Sequence, residues 1–235
     1  MPKGLSLANF KAVLFDVDGT LVDTMPALVR GLGDAFEHFN GQRPSNGELL
    51  SIIGLPLRKQ MHMFTDVPVS EAGLEERIEF AVDSFQRYVH LEQEFEAAIE
   101  TLDLIRSNGY KTALVTSKSA IEISQLAQRV EWVRNVDTTV CASDVTHPKP
   151  DPESAFLACE RLQVSPSDAV FIGDSVFDMR CAEQAGMKRV AVGYGSGIKE
   201  ALLNENPDMY FDRPDDLLAW AKESIFRTPC LEGKT

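Results

Sequence analysis

Along the chain, apolar and polar positions fall into two alternating regimes. Five short apolar runs have the length and character of buried strands: Ala12-Val13-Leu14-Phe15, Lys111 to Thr116, Thr138 to Ala142, Ala169-Val170-Phe171-Ile172 and Arg189-Val190-Ala191-Val192. Between and after them, apolar residues recur at helical spacing over Glu96 to Ser107, Ser119 to Val130, Pro152 to Leu162, Phe177 to Ala185 and Leu217 to Ile225. Strand and helix taking turns with short loops predict a parallel sheet wrapped on both faces with right-handed crossovers, a doubly wound α/β core. One stretch breaks this rhythm. Residues 24 to 92 show only helical patterns: Pro26 to Phe39 closed by Asn40-Gly41, Asn46 to Ile53 closed by Gly54 with Pro56 following, and Glu71 to Leu91. The pattern predicts an inserted all-α helical bundle over 23–93, with the core built from 1–22 and 94–235, and a frayed tail from Arg227 to Thr235.

With 235 residues and 44% hydrophobic content, the chain can bury a core with a smaller insertion. A formal charge of −13 argues against nucleic acid or an anionic membrane surface as partner, because both require a basic face. The N-terminal stretch has too short an apolar run for a signal peptide or a membrane span. Cys141, Cys159, Cys181 and Cys230 have no C-x-x-C or zinc spacing and read as reduced structural thiols. These features lead us to expect a soluble cytoplasmic enzyme or binding protein, monomeric or homodimeric. If so acidic a chain handles phosphate, it must gather positive charge locally.

Candidate chemistry lies at the strand ends. After Phe15 come Asp16, Val17, Asp18 and Gly19. Side chains at i and i+2 of an extended chain share a side, so both acids would face the carboxyl edge of the sheet before the glycine turns the backbone. That edge binds ligands in open α/β sheets, and close carboxylates repel unless a cation joins them; solvated acids beside a turn glycine are the alternative. Ala169 to Ile172 likewise runs into Gly173-Asp174-Ser175-Val176-Phe177-Asp178, where Asp178 also reads as a charge at a helix start. Thr116-Ser117-Lys118 offers a hydroxyl and helix-opening amides, either a phosphate cradle or a plain helix cap. Lys149 lies in His147-Pro148-Lys149-Pro150-Asp151-Pro152, where the prolines either hold the lysine rigid or simply start the next helix.

As an ordered set, D-x-D-G-T, T-S-K, K-P-x-P and G-D-x-x-x-D resemble the four motifs of the haloacid dehalogenase superfamily. The helical block between the first two resembles the cap of its phosphoglycolate-phosphatase-like branch, and Gly193-Tyr194-Gly195 looks like that branch too. The resemblance implies a magnesium-dependent phosphatase acting on a small phosphorylated metabolite, a phosphoglycolate-like monoester, through an aspartyl-phosphate. By the same resemblance, Asp16 is nucleophile, Asp18 general acid and base, and Gly19, Thr116, Ser117 and Lys149 surround the phosphoryl group, with Lys149 also in the catalytic set. Asp16, Asp18 through its backbone carbonyl and Asp174 form the metal site, with Asp178 as an outer or secondary metal group. Dehalogenases and phosphonatases lack the acid two residues after the nucleophile, so Asp18 favours ester hydrolysis. A β-phosphoglucomutase-like mutase keeps that acid and stands as the alternative, ahead of a phosphate-binding protein without turnover. The chain departs from the family at Glu94-Phe95-Glu96-Ala97-Ala98, where members often carry a proline-glycine pair. Gly54-Leu55-Pro56-Leu57-Arg58-Lys59 reads as a turn and resembles the substrate-contacting loop of the cap, with Gly54, Leu57 and Arg58 as specificity candidates; a helix stop followed by solvated charges is the other reading.

Overall fold

The computed structural model describes residues 5–53, 55, 57–64 and 68–226. In chain order the elements are β1 (Ala12–Phe15), β2 (Val22–Asp23), α1 (Met25–Asn40), α2 (Asn46–Ile52), α3 (Leu57–Gln60), α4 (Glu71–Tyr88) and β3 (Gln93–Glu94). There follow α5 (Glu96–Ser107), β4 (Lys111–Val115), α6 (Ala120–Arg129), α7 (Trp132–Asn135), β5 (Thr138–Val140), α8 (Glu153–Leu162), β6 (Ala169–Gly173), α9 (Val176–Gln184), β7 (Lys188–Val192), α10 (Lys199–Asn204), β8 (Met209–Phe211) and α11 (Pro214–Phe226). The chain divides into two compact units, one of residues 1–21 with 95–235 and one of 22–94.

The first unit holds a six-stranded sheet in the order β5-β4-β1-β6-β7-β8, with every neighbouring pair parallel. From the centre the chain runs outward twice, β1 to β4 to β5 and then β6 to β7 to β8. The order therefore reverses between β1 and β6, and the crevice beyond their carboxyl ends is where such sheets bind ligands. Both faces of the sheet are covered. Ala12, Leu14, Ala113, Val115, Ala169 and Phe171 pack with Ala155, Ala158 and Cys159 of α8 and Cys181 and Ala182 of α9. The alternate residues Val13, Phe15, Leu114, Val170 and Ile172 point to the opposite face, are equally inaccessible, and lie on the side served by α5 and α11, which pack against each other. Burial on both faces explains why these strands read as unbroken apolar runs.

Among the described residues of the second unit the regular elements are helical apart from β2 and β3, which form an antiparallel two-residue ribbon. Leu32, Ala35, Phe36, Leu49, Ile52, Met61, Leu74 and Ala81 form its core. α1 stops at Gly41, whose φ of 70° suits the left-handed cap that ends many helices. α2 begins with a capping box in which Ser45 Oγ accepts from Glu48 N and Glu48 Oε2 accepts from Ser45 N.

The structure corrects one local expectation. The segment read as a turn at 54–59 contains the helical turn α3, because Leu57 packs on the helical core and Gln60, buried, donates to the Leu55 carbonyl at 2.7 Å. Gly54, Pro56, Cys230 and the expected tail Arg227 to Thr235 lie outside the described residues.

Candidate active site

Asp16 directly follows β1, and its backbone N–H donates to the Ile172 carbonyl at 2.9 Å, so the first acid is fixed by the β1–β6 ladder itself. Asp174 follows β6. Asp178 is the third residue of α9 and closes that helix's capping box, accepting from Ser175 N at 3.0 Å and from Ser175 Oγ at 2.6 Å. One carboxylate oxygen from each of Asp16, Asp174 and Asp178 lies within 4.8 Å of the other two, and all three residues are buried. Gly19 turns the chain between the acids with φ of 75°, and a Cβ there would overlap the Asp174 carboxylate. The glycine is thus required twice, for its backbone and for its missing side chain.

Lys149 enters this cluster from the loop between β5 and α8. Its Nζ donates to Asp16 Oδ1 at 2.9 Å, to Asp178 Oδ1 at 2.6 Å and to the Val115 carbonyl at 3.1 Å. Burial works against its charge, but Asp16 and Asp178 together outweigh burial and hold the lysine protonated far above its ordinary range. One lysine does not balance three carboxylates. Burial first, and then the neighbouring Asp178, push Asp16 well above the usual carboxylate range and Asp174 up to about 7. A small divalent cation would reverse both shifts, and this all-oxygen set suits magnesium, which takes a few carboxylates and keeps several waters.

Asp18 is partly exposed, and its Oδ1 pairs with Lys118 Nζ at 2.8 Å. Thr116 is buried at the end of β4, with Oγ1 accepting from Lys118 N at 3.1 Å, whereas Ser117 is exposed. Helix α6 has its own cap in Ser119, which forms a complete box with Glu122. Thr116 and Ser117 are therefore not needed to start that helix, and the plain capping reading falls away. Sequence reasoning named Lys118 within T-S-K but gave it no role. It left Gly193-Tyr194-Gly195 without a role, and the next residue, Ser196, bonds to Asp174.

The expected specificity residues belong to the second unit. Leu57 is half-buried in the helical core. Arg58 is paired with Glu71 at 2.9 Å and with Glu75, so an incoming anion would have to displace two carboxylates from its fork. A separate cavity of about 570 Å³ in this unit is lined by Met25, Val29, Arg30, Arg43, Leu50 and Tyr88, among others.

The haloacid dehalogenase-like hydrolase family model matches residues 13–192. The chain belongs to the haloacid dehalogenase-like hydrolases. It is 30% identical over 208 residues to the pyrophosphatase PpaX of Bacillus velezensis, covering 88% of this chain and 94% of the relative. It is 29% identical over 238 residues to the phosphoglycolate phosphatase of Salmonella paratyphi A, covering 90% and 92% respectively. Among solved structures, a haloacid dehalogenase-like family hydrolase from Streptococcus pneumoniae superposes with a TM-score of 0.79 at 24% identity, covering 91% of this chain and 99% of that one. Both of these relatives carry phosphatase names, one for pyrophosphate and one for phosphoglycolate.

Proposed function

We propose that this hydrolase is a magnesium-dependent phosphatase that releases phosphate from a small-metabolite monoester through an aspartyl-phosphate on Asp16. The observation that carries this reading is the buried constellation of Asp16, Asp174 and Asp178 around Lys149 Nζ at the switch point of the sheet. Asp16, Asp174 and Asp178 would hold the cation with the Asp18 backbone carbonyl. When bound, magnesium supplies neutralising charge to the phosphoryl oxygens and ionises the acids around it.

The chain's own groups do the rest. A carboxylate oxygen of Asp16 attacks phosphorus, forming the aspartyl-phosphate bond as the bond to the leaving oxygen breaks. Lys149, held charged, and donors at Thr116 and Ser117 steady the equatorial oxygens. Asp18, partly open to solvent and next to Lys118, gives a proton to the departing alkoxide. It then takes one from the water that attacks phosphorus, which returns Asp16 and liberates phosphate.

In this reading the helical unit chooses the substrate, since the core groups recognise only the phosphoryl end. The proposed substrate is an acidic, phosphoglycolate-like ester, with Gly54, Leu57 and Arg58 as the residues to probe. Phosphate release from a panel containing phosphoglycolate, pyrophosphate, sugar phosphates and an aryl phosphate tests this, run on wild type, Asp16→Asn and Arg58→Ala. Turnover by Asp16→Asn near the wild-type rate would remove the covalent mechanism. An unchanged Arg58→Ala profile would remove Arg58 from substrate choice. Conversion of β-glucose 1-phosphate to glucose 6-phosphate without phosphate release would favour a mutase instead.

A further inference from the structure

We propose that Ser196 is a positioning residue for the metal site, and that the loop Gly193 to Gly197 carrying it clamps the turn after β1 to the acid after β6. The proposal rests on the magnesium reading above. Ser196 donates twice to a single oxygen of Asp174: its backbone N–H and its Oγ each lie 2.7 Å from Oδ2. That oxygen is also enclosed by two glycines. A Cβ at Gly19 or at Gly195 would overlap it, and a Cβ at Gly197 would overlap the Asp174 backbone carbonyl. Asp174 is therefore gripped through Oδ2 alone, which stops the carboxylate from rotating and leaves Oδ1 as the oxygen presented to a cation.

The same loop holds the other half of the site. Tyr194, half-buried, donates its phenol to the Thr20 carbonyl at 3.0 Å, one residue after Gly19. The Phe95 ring meets the Tyr194 ring edge-on with centroids 4.8 Å apart, which fixes the direction of the phenol. Gly195 lies against the Gly19 carbonyl, so a side chain there would part the two turns. One five-residue stretch thus sets the distance between Asp174 and the Asp18–Thr20 turn, which carries the Asp18 carbonyl. A loop that merely linked β7 to α10 would not need both donors of one serine on one carboxylate oxygen.

Calorimetric titration of magnesium chloride into the whole chain tests the clamp, with melting temperature in chelator as the measure of fold. Ser196→Ala keeps the backbone bond and loses the hydroxyl, and is expected to bind magnesium about 10- to 100-fold more weakly, the usual effect of removing a partner of a metal ligand. Its metal-free melting temperature should stay near wild type. Ser196→Thr, which restores a hydroxyl, should return the affinity toward wild type. For aryl phosphate hydrolysis by Ser196→Ala, the magnesium needed for half-maximal rate should rise while KM for the ester stays unchanged. Tyr194→Phe removes only the latch on Thr20 and should weaken magnesium in the same direction by less. Wild-type affinity in Ser196→Ala, or in Tyr194→Phe should the alanine variant not fold, overturns the clamp. Wild type that takes up no magnesium overturns the metal reading itself, and the proposal with it.

Discussion

Lys149 Nζ lies 2.6 Å from Asp178 Oδ1, and neither side chain is more than 5% exposed. A buried pair of this kind is costly to break from one side and less costly from the other. Lys149 has a second carboxylate in Asp16 at 2.9 Å, whereas Asp16 and Asp178 share this one lysine. Lys149→Met should therefore destabilise the metal-free protein by about 3–5 kcal/mol, the cost of leaving a buried charge uncompensated. Asp178→Asn should cost less, because it leaves Lys149 paired and relieves repulsion on Asp16 and Asp174. Urea midpoints of the two variants in chelator check the order, and equal losses would contradict it.

Asp174 gives a pH dependence with a definite sign. Burial, and then Asp178, raise it from the ordinary 3.8 to about 7 in the folded chain, and Asp16 moves the same way. A raised carboxyl contributes stability below its unfolded pKa and loses it as pH climbs through the folded value. The metal-free protein should therefore weaken from about pH 4 to pH 7 and beyond. Magnesium needs the ionised acids, so the rise in melting temperature that it produces should widen over the same interval. Melting curves with chelator and with magnesium at several pH values measure this gap, which should not stay constant.

Asp18 is expected to act on protons and not on the fold. It is partly exposed, paired with Lys118, and outside the buried cluster. Asp18→Asn should slow aryl phosphate hydrolysis by roughly 10²–10⁴-fold, the customary worth of general acid and base help, with little change in melting temperature. A large loss of stability together with activity would make it a structural residue instead.

Two glycines of the second unit should respond oppositely to alanine. At Gly31 in α1 an added Cβ would press into the Phe85 ring and backbone, and overpacking costs about 1–3 kcal/mol, outweighing the gain of about 1 kcal/mol in helix propensity. At Gly47 in α2 none of the described residues lies within 4 Å, so the propensity gain stands alone and Gly47→Ala should stabilise by about 0.5–1 kcal/mol. Denaturant midpoints of both variants decide the pair.

The parts of this molecule that were legible in its sequence are those in which burial forces a pattern. β1, β4 and β6 are buried on both faces, so they stand out as apolar runs, and acids or hydroxyls at their ends are conspicuous for that reason. The missed elements are short or only half-covered. β8 is a three-residue edge strand, α7 has four residues and α10 has six, too few for a helical period to repeat. The ribbon of β2 and β3 has two residues a strand, and β3 is exposed throughout. In the site, Asp16, Asp18, Lys149 and Asp174 were readable because each lies in a motif. Ser196 was not, since its meaning depends on a contact with a residue 22 positions away and serine is common after a turn. The ion pair of Lys118 with Asp18 likewise joins two loops that only the sheet order brings together.

The chain leaves the first unit and returns to it at one place. Val22 pairs with Glu94, Asp23 pairs with Gln93, and just inside them Phe95 N–H donates to the Leu21 carbonyl at 2.9 Å. Because the two ends are already side by side, no strand of the large sheet depends on the length or content of what is strung between them. Residues 22–94 are in this sense a cassette. Under the proposed division of labour, ancestry could rewrite the choice of substrate by exchanging that cassette, while Asp16, Lys149 and Asp174 kept the same reaction.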